Sequence, residues 1–332
     1  MSTIVLPYLE VKSRLESVLK QHFDSEQATK LAHIFVDAEL DGVTTHGVKR
    51  FQRFINEIEL GHISTTNSPS PVKSFAGWEM WNGNAAPGPL NALHCTNRAV
   101  ELAQRHGLSC IGLRNTNHWL RPGFYAKTAA KQGCGFIAWS NTIPNMQAHG
   151  ASKSTLSNTP ITIGIPATSE DEEPVFVDLA MSQFSYGKIQ AYAENDEPLP
   201  YEGGYTQDNQ LTSDPKTVLA QQSASAIGYW KGSALAMILD LLAVFVGGGK
   251  SVYEIGTLPG EQDVSQAFIA IALTQLWTKD EYSSRLKELT QQLLATDQGV
   301  HIPASKLAQT RANNMTHGIS VPKQMWQQIS QL

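Results

Sequence analysis

The run Asp41-Gly42-Val43-Thr44-Thr45-His46-Gly47-Val48-Lys49-Arg50 brings together groups that can move a proton and hold an anion. Glycines on both sides leave the imidazole of His46 accessible. If a helix begins near Gly47, His46 and Arg50 stand about one turn apart and can converge on one ligand. That pair suits carbonyl reduction, in which a histidine supplies the proton as hydride arrives and a guanidinium holds the substrate's carboxylate. The same residues also fit a plainer account, with His46 capping a helix and Arg50 a solvated surface charge.

A second polar cluster, Asn115-Thr116-Asn117-His118-Trp119-Leu120-Arg121, follows the apolar stretch Cys110 to Leu113. Strand ends in α/β domains are where ligands bind, so His118 could polarise a substrate and Arg121 could take its acid group; an Asx-rich turn with a satisfied histidine is the alternative. In Gly228-Tyr229-Trp230-Lys231-Gly232-Ser233, the N–H groups of a helix start and Lys231 would suit a cofactor phosphate. Asp178 is a carboxylate inside an apolar run and needs a partner, either a ribose hydroxyl, a histidine or a structural donor.

Several chemistries have no support. The G-x-G-x-x-G fingerprint of a Rossmann dinucleotide fold does not occur, and Gly247-Gly248-Gly249-Lys250-Ser251 reads as a helix end and turn, because the first P-loop glycine would fall on Val244. The histidines show neither H-x-x-x-H nor H-E-x-x-H, so no metal is expected. A serine-hydrolase elbow is missing too.

The elements that must position these groups fall into three stretches. Leu31, Ile34, Phe35 and Ala38 recur at helical spacing behind an Asp24 cap with Gln27 three residues on, and Phe51, Phe54, Ile55 and Ile58 form a second stripe that Gly61 stops. From about residue 70 the pattern becomes mixed. Strands are expected at Cys110 to Leu113, Cys134 to Trp139, Ile161 to Ile165, Val175 to Leu179 and Phe268 to Leu273, and helices at Leu90 to Gln104, Phe124 to Lys131 and Ser233 to Val246. The apolar run Ala234 to Val246 is interrupted by Asp240, is too short to span a bilayer, and reads as a buried core helix. After Thr278 the chain is helical again, with Leu286, Leu289 and Leu293 on one face and a last amphipathic segment at Trp326 and Ile329. The chain thus divides into helical ends, 1–70 and 278–332, around an α/β middle, 71–277.

The 332 residues are 41% hydrophobic and 17% charged, with formal net charge −5 and a pI near 6.1. Neither a nucleic-acid nor an anionic-membrane partner is expected from such a balance. Any anionic substrate must be held by a few placed cations. Three cysteines, Cys95, Cys110 and Cys134, without paired spacing, and a start lacking the pattern of a secretory signal suggest a reducing cytoplasm.

Together the segments His46-Gly47-Val48-x-Arg50-Phe51-x-Arg53-Phe54, Arg114-Asn115-x-Asn117-His118-Trp119, Phe184-Ser185-Tyr186-Gly187 and Gly228-Tyr229-Trp230-Lys231-Gly232-Ser233 resemble, in the same order, the malate/L-lactate dehydrogenase family of NAD(P)-dependent oxidoreductases, which lack a Rossmann fold. The resemblance runs from the first helix to about Leu332. It implies a homodimer with the cofactor in a mixed, largely antiparallel α/β domain, and with both helical ends forming one discontinuous second domain. The family's proton donor, the histidine of Ser-His-Gly, maps to His46, and Thr45 keeps the hydroxyl of the preceding serine. Cofactor contacts map to Pro174, Val175, Phe176, Val177, Asp178, Leu179 and Ala180, to Trp230 and Lys231, and to Ala304, Ser305 and Lys306.

Besides Thr45, this chain departs from the family pattern at three places. Gly-Thr-Asn-Pro is Ser157-Asn158-Thr159-Pro160. Leu-Pro-Gly with an acidic continuation is Ile302-Pro303-Ala304-Ser305-Lys306, and a lysine there would favour the phosphorylated ribose of NADP over NAD by charge complementarity. After Asn-His-Trp stands Leu120-Arg121-Pro122-Gly123, where proline stiffens the turn. The implied activity is reduction of a small 2-keto or 2,3-diketo acid by NADH, with Arg50 and Arg121 on the carboxylate and His118 polarising the substrate. Oxidation of malate, lactate or ureidoglycolate, reduction of a cyclic imino acid, and dinucleotide binding without turnover are the alternatives on the same scaffold.

Overall fold

The computed structural model describes residues 2–169 and 172–332. Its N-terminal part is a short strand, β1 (Thr3–Leu6), and three helices, α1 (Tyr8–Leu19), α2 (Ser25–Leu40) and α3 (Val48–Glu59). The start of α2 follows from its sequence, since Asp24 accepts the N–H of Gln27 at 2.8 Å. Gly61 ends the next stretch with φ +76°, a conformation that costs little only for glycine.

The middle of the chain builds β2 (Ser70–Phe75), β3 (Trp78–Asn82), α4 (Gly88–His106), β4 (Leu108–Asn117), α5 (Pro122–Ala130), β5 (Cys134–Ser140), β6 (Met146–Gln147), β7 (Ser154–Leu156), β8 (Ile161–Ile165) and β9 (Val175–Leu179). There follow α6 (Tyr186–Glu194), β10 (Gly204–Tyr205), β11 (Leu211–Thr212), α7 (Pro215–Gln221), β12 (Ala224–Ser225), α8 (Trp230–Gly247), α9 (Val252–Ile255) and β13 (Gln262–Ala272). The main sheet has seven strands in the order β2-β3-β4-β13-β5-β8-β9, and only β3 against β4 is parallel. This is the mixed, largely antiparallel sheet expected, not a doubly wound one. A five-stranded sheet, β11-β10-β12-β6-β7, lies beside it.

Alternation along β13 and β4 sorts the two faces of the main sheet. Phe268, Ala270, Ile111 and Leu113 join the large core with α4, α5 and α2, whereas Ala267 packs with Leu239 and Ala243 of α8. Gly112 is a glycine because α8 lies directly on it: a Cβ there would fall 2.1 Å from the carbonyl oxygen of Val246.

The chain closes with α10 (Leu273–Leu276), α11 (Lys279–Thr296), α12 (Ser305–His317), β14 (Ile319–Pro322) and α13 (Lys323–Gln331). Strand β14 pairs antiparallel with β1, Ile329 of α13 is buried, and Trp326 packs against the same core. The two ends of the chain therefore share that core.

Two expectations change. The cluster at 115–117 is not a turn: β4 runs through it to Asn117, so His118 stands at the strand's true end. Nor is α8 a fully buried helix. Only a third of it is covered, and Trp230, Leu235, Ile238, Leu241, Leu242 and Phe245 lie on the surface, Phe245 at 78% exposure. Length and apolarity alone would suit α8 to a membrane span, yet its inner face lies on the sheet and Asp240 accepts from Asn141 at 2.8 Å.

Candidate active site

The site is built from the end of α2. Asp37, Glu39 and Asp41 are all buried there. Glu39 lies beneath the turn carrying His46 and accepts the N–H of Val48 at 2.6 Å, fixing the start of α3. Gly47 permits this approach, since a Cβ there would come within 2.2 Å of the Glu39 carboxylate. Burial pushes the Glu39 carboxyl up to about 7, against the pull of the Val48 amide.

Asp37 and Asp41 anchor a buried ion cluster. Lys127 of α5 reaches Asp37 and Asp41 at 2.8 Å each, Arg311 of α12 binds both, and Arg121 binds Asp41. Burial alone would raise Asp41, but Arg121 and Lys127 outweigh it and hold it down at about 2. Arg121 is 1% exposed, and its charge is met by Asp41 and, at 3.6 Å, by Asp178. The expectation that Arg121 takes the substrate's acid group is therefore corrected: the guanidinium lies inside the protein and ties β9 to the end of α2.

His46 lies at the end of a single 3-10 turn, Thr44–His46, ahead of α3. Its ring stacks near-parallel on that of His118, with centroids 5.7 Å apart and planes 13° apart. Thr45 Oγ1 is 3.4 Å from His46 Nδ1, and the Thr45 side chain fills the space over Gly187, so Phe184-Ser185-Tyr186-Gly187 reaches the same place. His118 Nδ1 accepts the N–H of Leu120 at 3.0 Å, which leaves its proton on Nε2 as a donor. Burial, followed by Arg50 and Arg121, lowers His46 to about 4. His118 is held well below the usual imidazole range by burial, then by Arg50 and His46. Both rings are thus neutral near pH 7 in the free protein.

The structure brings together His46, Thr45, His118 and Arg50. The segments mapped to a cofactor lie around them at varying distance. Pro174 precedes β9, and Val175, Phe176, Val177, Asp178 and Leu179 form that edge strand, with Ala180 after it. Asp178 Oδ2 accepts the N–H of Gly123 at 2.8 Å, and the side chain stays 20% exposed. Burial raises its pKa against the opposing pull of Arg121. Gly123 is packed closely here, since a Cβ would lie 2.7 Å from the Phe176 side chain and 3.0 Å from the Asp178 carboxylate. A bridge between Ser182 and Ala226 and the bond from Ile227 N–H to Met181 O set Trp230 and Lys231 close to the end of β9.

The N–H groups of Lys231, Gly232 and Ser233 bond back to Gly228, Ile227 and Tyr229. The start of α8 thus offers its lysine rather than its amides to an anion. Ala304, at φ +68°, begins α12, and Ser305 and Lys306 are exposed. Arg311 moors that helix to the cluster under His46. A partly exposed carboxylate, Asp178, and two accessible lysines, Lys231 and Lys306, have the chemistry to meet a dinucleotide's ribose and phosphate groups.

Two functional groups had escaped the sequence reading. Glu39 was hidden in a helix read for its apolar stripe, although acids at 37, 39 and 41 beside that stripe were a signal. Glu261 accepts from Arg50 at 3.0 Å, Arg53 at 3.5 Å and the Thr142 hydroxyl at 2.7 Å. Nothing but the Pro259-Gly260 turn before it marked that residue.

The sequence model of the family described as malate/L-lactate dehydrogenase matches residues 6–330. A 2,3-diketo-L-gulonate reductase from Salmonella newport (strain SL254) is 34% identical over 331 residues, 97% of this chain and 98% of that protein. Among solved structures, delta1-piperideine-2-carboxylate reductase from Pseudomonas syringae pvar. tomato superposes with TM-score 0.90 at 24% identity, covering 99% of both chains. Sulfolactate dehydrogenase from Methanocaldococcus jannaschii superposes with TM-score 0.89 at 24% identity, covering 98% of this chain and 95% of that one. At that identity the likeness of these two structures concerns the fold.

Proposed function

Because this chain belongs to the malate/L-lactate dehydrogenase family and is an oxidoreductase that takes a nicotinamide dinucleotide, we propose that it reduces a small keto acid with His46 as the proton donor. The substrate best supported by the full-length relatives is 2,3-diketo-L-gulonate, with 3-keto-L-gulonate as the product. The observation that carries this reading is the stacked His46–His118 pair beside Arg50.

When bound, the nicotinamide ring supplies the hydride. Arg50 holds the carboxylate next to the reacting carbonyl, and the Nε2–H of His118 donates to the substrate's oxygen. The arriving carboxylate offsets the positive field of Arg50 that disfavours a charged His46. His46 then takes a proton and gives it to the carbonyl oxygen as that oxygen becomes a hydroxyl. Thr45, packed over Gly187, keeps the ring facing its partner. Pro174 through Ala180, Trp230 and Lys231, and Ala304 through Lys306 would hold the dinucleotide. Asp178 would accept from a ribose hydroxyl, and the charge of Lys306 would favour NADPH over NADH.

The uncovered face of α8 supports a homodimer, since an exposed apolar stripe of that length marks an interaction surface. The test of the reading is absorbance loss at the nicotinamide band across a panel of keto acids, 2,3-diketo-L-gulonate included, with NADH and NADPH in parallel. Turnover of that substrate above pyruvate and oxaloacetate is expected. A dinucleotide that binds but is never oxidised would overturn it.

A further inference from the structure

Helix α12 begins with Ser305 and Lys306, yet no residue of it is fully buried, and none is in α11 before it. Leu307, Thr310, Arg311 and Asn314 make its inward stripe at helical spacing. Ala304 and Leu307 pack half-buried on the large core, and the rest of the stripe is polar. So little apolar contact fixes a helix weakly.

Polar bonds take the place of that contact. Arg311 forks across two carboxylates, with Nη2 on Asp37 at 2.6 Å and Nη1 on Asp41. Asn314 Nδ2 donates to the carbonyl oxygens of Glu39 and Leu40, at 3.2 and 3.0 Å, where α2 ends. Thr310 rests on the turn after α2, since a Cβ on Gly42 would meet its methyl group at 3.1 Å. All three grip one place, the end of α2 just before the turn that carries His46.

The same two carboxylates hold β9. Arg121 binds Asp41 and approaches Asp178 at 3.6 Å, and Lys127 binds both acids at 2.8 Å. Asp178 and the first turn of α12 are thus referred to one buried pair, Asp37 and Asp41. A guanidinium meets carboxylates in a fixed plane, so the fork sets direction as well as distance. Lys306 lies about 7 Å along the helix axis from Arg311, and a tilt at the fork is carried directly to it.

We propose that Arg311 is a positioning residue for the cofactor: by clasping α12 to Asp37 and Asp41, it holds Ser305 and Lys306 against the adenosine half of the dinucleotide, in fixed relation to Asp178. The proposal rests on the reading that Ala304 through Lys306 hold that dinucleotide. It adds what sets their place. Arg311 acts through the helix, its own charge being met inside the protein.

Removing Arg311 alone would strand carboxylate charge in the interior. The test therefore pairs Arg311→Met with Asp37→Asn, and adds Arg311→Lys, which keeps the charge without the fork. Fluorescence titration of the full-length protein compares NADH with reduced nicotinamide mononucleotide, which lacks the adenosine half. Losing hydrogen bonds to a charged group should lower the docked fraction of α12 by about tenfold, and affinity falls with that fraction. NADH is expected to bind the double variant more weakly by that factor, with Arg311→Lys in between. The mononucleotide should keep its wild-type affinity. In turnover, KM for NADH should rise in step while kcat is retained, since other elements carry the histidine pair. Equal weakening of both ligands would show that Arg311 only supports the fold and overturn the proposal. Unchanged NADH affinity in both variants would overturn it while leaving the dinucleotide reading in place. A wild-type protein that binds no NADH would sink that reading and the proposal together.

Discussion

The imidazoles of His46 and His118 face each other across 5.7 Å, 13° from parallel, although 72 positions separate them in the chain. One ring is carried by the turn before α3 and the other by the end of β4, so a helix and a sheet edge meet at this contact. Burial makes charging of either ring costly, Arg50 adds to that cost for both, and His46 adds to it for His118. The proton for carbonyl reduction must therefore arrive with the anionic substrate.

A pH dependence follows. With His46 at about 4 in the free protein, the protonated form becomes roughly tenfold rarer with each pH unit above that value. The kcat/KM for reduction should fall with slope near −1 from about pH 5 to 8. In the oxidative direction neutral His46 is the base, so kcat/KM should be flat over the same range. A reductive profile that is level to pH 7 would refute this assignment.

Replacing His46 by Gln keeps a hydrogen-bonding side chain and removes the acid. Turnover should drop by about 10²- to 10⁴-fold, the usual contribution of general acid catalysis. Affinity for the dinucleotide, measured by fluorescence titration, should stay at its wild-type value. A parallel loss of cofactor binding would mean that the ring holds the cofactor instead.

Glu39 predicts a change in stability with pH. Its folded pKa is raised to about 7 from 4.5, so the native state binds this proton more tightly than the unfolded chain does. The stabilisation is fully present below about pH 4.5 and is lost as pH rises through 7. A rise of that size corresponds to about 3 kcal/mol. In Glu39→Gln, which keeps an acceptor for the Val48 amide, urea midpoints between pH 4.5 and 8 should lack this component. Identical pH dependence in the two proteins would rule it out.

Local features of the fold were legible in the sequence. The Asp24 cap involves residues three apart, and strands at Ile161 to Ile165 and Val175 to Leu179 declare themselves by short-range pattern. Long-range pairings were not. Strand β1 finds β14 across almost the whole chain, and Arg50 finds Glu261 over 211 positions, with no periodicity to announce either. Arg121 looked like a ligand group because its sequence neighbours are polar. The acids that claim it, Asp41 and Asp178, come from different elements. The apolarity of α8 showed that something should cover it, but not whether that cover comes from the same chain.

Lys306 bears on the choice of cofactor. It is exposed in the first turn of α12, which Arg311 fixes beside the site. A phosphate on the adenosine ribose would gain from that charge, while a free hydroxyl would not. For Lys306→Ala the ratio of kcat/KM with NADPH to that with NADH should fall about fivefold, the scale of one exposed charge pair. An unchanged ratio would remove Lys306 from cofactor selection.

The outer face of α8 predicts the oligomeric state. Leu235, Ile238, Leu242 and Phe245 lie on it, exposed at 43 to 78%. In a two-fold dimer the same patch contributes from both protomers, so one substitution is felt twice. Phe245→Glu would set two carboxylates into an apolar contact, where burying unpaired charge is costly. Wild type should sediment as a dimer at micromolar concentration and the variant as a monomer. The His46 pocket lies on other elements, so circular dichroism of the variant should remain that of a folded chain. A wild-type protein that sediments as a monomer, or a variant that stays dimeric, would place the interface elsewhere.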